Sequence, residues 1–280
     1  MILALGLGVA VPAHQPGSKL LTFKGVMKSN LRRPSKNSVL EQLLDAQFPI
    51  ECILDIGIHT GTFELMKTFP DLKHYLFEPI QDHFAVIEEN YQKYGIDYDL
   101  IEVAVSNADG TADLRVSSVQ EDQEVTHANF AEEGAAPESL RSVPTLKLDT
   151  FVATQNPPAP YLLKIDVDGA EEMILEGAQE ALKNCSVLIV EAPRQRLVER
   201  AQLVQAAGFE LLDVVDFCYY GGYLWQVDLV FINPKFAPAD YVDLLKDGFS
   251  IDKWHTFKVP RDKPTKKAKR RLSRLFRKKK

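Results

Sequence analysis

The chain has 280 residues, 45% of them hydrophobic, with 33 basic and 39 acidic side chains for a formal charge of −6. It can bury a full core and has room for one large α/β domain with appendages or for two small ones. Its three cysteines, Cys52, Cys185 and Cys218, are too far apart for a disulfide framework or a zinc spacing, and they fit packing roles in a reducing cytoplasm.

The chain opens with MILALGLGVAVPAHQ, an apolar stretch too short to span a bilayer and without the positive leader of a secretory signal. Three readings stand. It is a packed terminal strand, an upstream extension of a protein that could equally begin at Met27, or an export segment cut near Val11 to Ala13. A basic stretch with Lys24, Lys28, Arg32, Arg33 and Lys36 follows, so residues 1–37 read as an N-terminal extension ahead of a helix at 38–47.

From residue 52 the pattern alternates strand and helix, which predicts a mostly parallel sheet covered on both faces. Strands are expected near 52–55, 74–78, 100–105, 161–166, 186–191, 210–215 and 227–232, and helices near 62–69, 81–93, 171–183 and 195–207. The first strand ends in the turn Asp55-x-Gly57-x-x-x-Gly61, with His59 and Thr60 inside it. The second delivers Glu78 about 20 residues later, where a carboxylate can hold both hydroxyls of a ribose. The turn is not the GxGxxG that lets a pyrophosphate approach the backbone, and no P-loop lysine follows it.

Residues 117–142 do not fit a minimal sheet. The segment is acidic, carries His127, Asn129 and Phe130, and lies between two extra strands near 111–116 and 143–148. It reads either as a lid over the pocket or as a mobile surface loop. A charged strand-to-helix junction, YLLKIDVDGAEE, occupies residues 161–172.

Four blocks in order, LDIGIHTG, FEP, VAVSNADG and the KIDVDGAE of the junction, resemble the FkbM family of S-adenosylmethionine-dependent methyltransferases, whose members show DxGxNxG, FEP and KxDxEGxE. The likeness runs from about Val39 to Pro234. His59 stands where the family has asparagine, and Asp168 where it has glutamate. The resemblance implies a class I methyltransferase, Rossmann-like sheet of about seven strands, the last antiparallel, with helices on both faces, within residues 38–236. It also implies S-adenosylmethionine as cofactor, with Asp55, Gly57, His59 and Gly61 near the methionine part, Glu78 on the ribose, and Ala104 or Val105 beside the adenine. The acceptor it implies is a hydroxyl of a sugar or glycoconjugate.

Transfer to a hydroxyl needs a group to take its proton. Alternation places Lys164, Asp166 and Asp168 on one side of an extended segment. Asp166 is the candidate base, or a ligand with Glu191 if a divalent metal takes part; Asp168 and His127 are further catalytic candidates. Equally, Asp168 to Glu172 can cap the following helix. Arg194, Tyr219, Tyr220, Tyr223 and Trp225 can line an acceptor pocket or can be plain hairpin residues.

After a C-terminal segment at 237–257, residues 258–280 hold thirteen Lys or Arg and one acid, Asp262, so a +12 tail is attached to a body of −18. Leu272, Leu275 and Phe276 fall on one helical face. Such a tail is either solvated or binds an anionic membrane surface, which would place the protein at the periphery of the inner membrane. Nucleic acid is disfavoured, because the acidic body shows no basic aromatic surface. Two rivals to the methyltransferase reading are a nicotinamide-dependent oxidoreductase, opposed by the missing GxGxxG, and a noncatalytic binding module acting through the tail. Oligomeric state is not legible in these patterns.

Overall fold

Runs such as CILDI and YLLKI carry β-branched and leucine side chains on both faces, so they are stable only in the middle of a sheet covered twice. Strand β1 (Cys52–Ile56) and strand β8 (Tyr161–Ile165) are buried at every residue and pair in parallel. The computed structural model describes residues 33–118, 125, 127–131, 139–239, 241, 247–251, 254 and 256–257. The expectations for residues 1–32, for most of the centre of 117–142, for much of 237–257 and for the basic tail fall outside these.

Around that pair the sheet continues through β2 (Lys73–Phe77) and β3 (Tyr98–Ile101) on one side. On the other lie β9 (Cys185–Pro193), β11 (Tyr223–Ile232) and β10 (Glu210–Tyr220). The order is β10-β11-β9-β8-β1-β2-β3, and β11 runs antiparallel to both of its neighbours. The expected seven-stranded sheet with its last strand reversed is therefore present.

Side-chain alternation divides the core into two layers. Ile53, Leu162, Val187, Ile189 and Val230 meet α1 (Lys36–Asp45) through Val39, Leu40 and Leu43, and α2 (Phe63–Thr68) through Leu65. Leu54, Leu163, Leu188, Val190 and Leu229 pack with buried side chains of three helices: α4 (Leu148–Gln155), α5 (Glu171–Glu176) and α6 (Leu197–Ala206). Helix α3 (Phe84–Tyr94) covers the β2 side with Ile87 and Tyr91.

Several boundaries differ from expectation for local reasons. The segment expected as one strand at 100–105 divides into β3 and β4 (Ala104–Ser106), which belong to different sheets. The helix expected over 171–183 stops at Gly177, where a Cβ would lie 2.3 Å from the Ser106 carbonyl oxygen, and only a short 3-10 turn follows at Ala181–Asn184. Helix α4 was not foreseen, because LDTFVATQ is rich in β-branched residues of modest helix propensity. Its Leu148 and Phe151 are held by the core instead.

The insertion region forms a second sheet of order β4-β7-β5-β6, built with β5 (Gly110–Ser117), β6 (His127–Phe130) and β7 (Leu140–Lys147). Strands β5 and β7 correspond to the two extra strands of the sequence reading. Strand β6 adds an edge inside the segment expected as a lid. Ile80, Ala104, Leu114, Val125 and Val143 form the core beneath this sheet.

Candidate active site

Three adjacent strand ends are stitched together at the rim. The Gly57 N–H donates to the Phe77 carbonyl at 3.1 Å, and the Asp166 N–H donates to the Ile56 carbonyl at 3.1 Å. Gly57 has φ +75°, and a Cβ built on it would stand 1.9 Å from the Asp166 oxygen, so the strand ends approach too closely for any side chain. His59 also has positive φ, +54°. That conformation is held by Glu78, whose Oε2 accepts the His59 N–H at 2.9 Å while its Oε1 accepts the Ile80 N–H at 2.9 Å.

Above this rim lies a cavity of about 410 Å³, within the range of small-ligand sites. The turn from Gly57 to Gly61 and Glu78 form part of its wall, Ala104, Val105 and Ile80 supply an apolar part, and Asp166, Asp168 and His127 line another. These residues fit S-adenosylmethionine. Each Glu78 oxygen has one backbone donor and keeps further lone pairs for two ribose hydroxyls. The wall at Ala104 and Val105 is apolar, as an adenine site is. Burial pushes the Glu78 carboxyl up to about 7, outweighing the N–H bonds from Ile80 and His59 that favour its ionised form.

Asp55 lies beneath the cavity and does not line it. It is fully buried, with its Oδ1 3.3 Å from Lys164 Nζ, and the same ammonium is 3.4 Å from Asp166 Oδ2. Lys164 therefore ties the floor to the wall. Burial would raise the Asp166 carboxyl, but Lys164 and then Lys36 outweigh it and hold the group below the usual carboxylate range. Behind it, burial and the Asp166 charge push Glu191 up to about 9, and Gln226 Nε2 donates to Glu191 Oε1. An ionised Asp166 thus stands against a protonated Glu191 at neutral pH.

Lys36 is a wall residue that no motif announced. Its ammonium lies 2.7 Å from Asp228 and 3.8 Å from Asp216, and its backbone N–H donates to Asp216 Oδ1 at 3.1 Å. The available signal was Asp228 itself, an acid in the apolar strand VDLVFI that needs a buried cation. His83 was also missed. Its ring lies against that of His59, centroids 4.3 Å apart and planes tilted by 54°, and burial, then the neighbouring His59, hold it near 4. Burial also lowers His59, so both rings are neutral at physiological pH.

Strand β6 closes the far side. Asn129 Nδ2 donates to the Asp168 carbonyl, and Asp168 is left-handed at φ +51° ahead of Gly169 at +114°. Burial raises the Asp168 carboxyl, with His127 opposing the shift. Beyond that loop, Glu171 accepts the Val167 and Gly169 N–H groups at 3.4 and 3.3 Å and meets Arg200 at 2.8 Å. Glu171 thus ties down the loop ahead of α5, whose N-cap, Ala170, has no side-chain hydrogen bond, and Asp166 and Asp168 face the cavity.

The remaining candidates are elsewhere. Arg194 and the exposed Tyr219, Tyr220 and Trp225 do not line the cavity; the Arg194 N–H donates to the Trp225 carbonyl at 2.8 Å, at the base of the β10–β11 hairpin. Among the described residues, no three His, Cys, Asp or Glu side chains gather as a metal-ligand set. Of the expected pair, Asp166 already meets the Lys164 ammonium and Glu191 is held by Gln226 and raised by burial, so this donor set does not fit a cation.

The family model described as the Methyltransferase FkbM domain matches residues 55–217. Among curated proteins, the hexuronic acid methyltransferase AglP of Haloferax volcanii is 24% identical over 156 residues, 56% of this chain. The match covers 62% of that relative, so the chain spans less than two thirds of its length. Among solved structures, an rRNA methylase of Streptococcus thermophilus aligns at 10% identity and TM-score 0.43, over 73% of this chain and 99% of that one. Precorrin-6y C5,15-methyltransferase of Geobacter metallireducens aligns at 16% identity and TM-score 0.39, over 70% and 84%.

Proposed function

This chain belongs to the FkbM methyltransferase family, whose methyl donor is S-adenosylmethionine, and we propose that it methylates a hydroxyl oxygen of a sugar or glycoconjugate. The observation that carries the reading is the placement of Asp166, Asp168 and His127 in the wall of the cavity whose other wall holds Glu78. A relative named for hexuronic acid methylation supports a saccharide acceptor.

When bound, the cofactor supplies an electrophilic methyl group on a sulfonium. The protein then has to position and to manage one proton. Glu78 fixes the ribose, and the turn from Gly57 to Gly61 fixes the neighbouring part. The acceptor hydroxyl lies against Asp166, which Lys164 and Lys36 keep ionised. As the new C–O bond forms and the C–S bond breaks, the oxygen becomes strongly acidic, so even a carboxylate of low pKa is a sufficient acceptor for its proton. His127 and Asp168 hold the acceptor from the side of β6, whose Ala128 and Phe130 also line the cavity. The same reading places the protein at an anionic membrane surface through residues 258–280.

The test pairs calorimetric titration of S-adenosylhomocysteine with transfer of labelled methyl to neutral sugars and uronates. Expected are micromolar binding, transfer to a sugar hydroxyl, and loss of transfer with binding kept in Asp166→Asn. Binding without transfer to any saccharide would sink the acceptor, and absence of binding would favour a noncatalytic module.

A further inference from the structure

The β10–β11 hairpin is longer than the sheet requires. Strand β9 ends at Pro193 opposite Gln226, yet the hairpin continues to a turn at Gly221 and Gly222, with φ +58° and +86°. Three residues beyond Gln226, at roughly 3.3 Å each, carry the tip about 10 Å past the end of β9. Strand β9 runs parallel to β8, so this extension projects from the carboxyl-end rim that bears Asp166.

Its composition is unlike the rest of the surface. Residues 217–226, FCYYGGYLWQ, contain no charge. Tyr219, Tyr220, Tyr223 and Trp225 are 65%, 77%, 72% and 50% exposed, whereas Val227 to Ile232 of the same strand are buried. Tyr220 pairs directly with Tyr223, and its ring centroid lies 6.0 Å from that of Trp225. Core packing accounts for none of this exposure, and a contiguous aromatic patch of this kind marks an interaction site.

We propose that the hairpin tip is a membrane-docking element that works with the basic C-terminal segment to seat the cavity rim against an anionic lipid surface. Two observations select lipid. Tyrosine and tryptophan combine an apolar body with a polar tip, which suits the headgroup layer of a bilayer. Phe257, the residue just before the segment of charge +12, lines a cleft with Arg33 and with Phe217 and Tyr219 of the same hairpin.

The two elements need each other. The body carries −18, so an anionic surface repels most of it, and attraction to the basic segment fades beyond a Debye length of about 8 Å. Stable attachment takes two signals, and an uncharged aromatic projection supplies the second without bringing acidic surface close. The inference goes beyond the transfer reaction and is independent of which acceptor is used.

The chain has two tryptophans, Trp225 and Trp254. In a full-length Trp254→Phe background, vesicles of phosphatidylcholine and phosphatidylserine should blue-shift and brighten Trp225 emission, and phosphatidylcholine alone should not. Tyr220→Ser, Tyr223→Ser and Trp225→Ser together should weaken vesicle co-sedimentation by about tenfold while S-adenosylhomocysteine binding persists. Deletion of residues 258–280 should abolish it at physiological salt. Sedimentation with unchanged Trp225 emission would assign binding to the tail alone and overturn the proposal. So would no sedimentation, or an emission shift produced by a soluble oligosaccharide and not by vesicles.

Discussion

Glu78 and His59 are joined across the mouth of the cavity: the carboxylate of one accepts the backbone N–H of the other at 2.9 Å. A strand-end acid following β2 thereby holds the left-handed step of the turn after β1, and the group proposed to meet the ribose also shapes the loop beside it. On the proposed ribose contact, cofactor affinity and loop geometry are coupled through one side chain.

The first expectation concerns pH. Glu78 sits at about 7 in the folded protein because it is buried, and hydroxyl recognition requires its ionised form. S-adenosylhomocysteine affinity should therefore fall as pH drops through about 7, as read by calorimetry across pH 5.5 to 8.5. Glu78→Gln should bind roughly tenfold or more weakly at pH 8 and lose this dependence. A wild-type affinity flat across the range would show that the carboxylate does not meet the ligand.

Glu191 makes the opposite kind of claim, about stability. Its folded pKa is raised to about 9 by burial and by Asp166, so the folded state keeps a proton that the unfolded chain has released. Its contribution is fully present below the ordinary glutamate value near 4.5 and is lost progressively as pH rises to about 9. Glu191→Gln should therefore be near neutral at pH 5 and should raise the melting temperature at pH 8. A variant less stable than wild type at pH 8 would show that Glu191 is ionised in the fold.

At Gly57 the argument is steric. Alanine there would set a Cβ 1.9 Å from the Asp166 carbonyl oxygen at a φ of +75°. The substitution should cost about 2–4 kcal/mol, and any folded remainder should bind the cofactor poorly. Thermal unfolding and calorimetry would measure both. Alanine at Gly95, where φ is also positive but no atom lies within 4 Å of the added Cβ, is the control for backbone strain alone.

Lys36 and Asp228 form an ion pair whose side chains are 11% and 10% exposed. Removing one partner strands the other, so Lys36→Met should cost on the order of 3–5 kcal/mol. Adding Asp228→Asn should restore much of that loss. A double-mutant cycle by denaturant unfolding reads the coupling, and strict additivity would mean that the pair does not form.

What could be read in the residues was whatever the backbone dictates locally. Gly57 and Gly61 need a turn, Glu78 follows at the end of the next strand, and VDLVFI is apolar enough to be a sheet-centre strand. Strand β6 and helix α4 were hidden, because HANF and LDTFVATQ have weak periodicity and take their form from neighbours distant in sequence. Lys36 was hidden for the same reason, since its partner is a residue 192 positions later. Tyr219, Tyr220 and Trp225 fitted either an acceptor pocket or a plain hairpin by their chemistry, and the hairpin carries them past the end of β9 and away from the cavity lining.

The family match begins at Asp55, at the end of β1, whereas α1 lies wholly upstream of it and lends Lys36 to the cavity wall and Val39, Leu40 and Leu43 to the core. A fragment trimmed to the matched boundaries would lose α1 and most of β1 at one end and β11 with Asp228 at the other, exposing one side of the sheet. Recombinant work on the catalytic unit should accordingly begin upstream of Ser35, whose side chain caps α1.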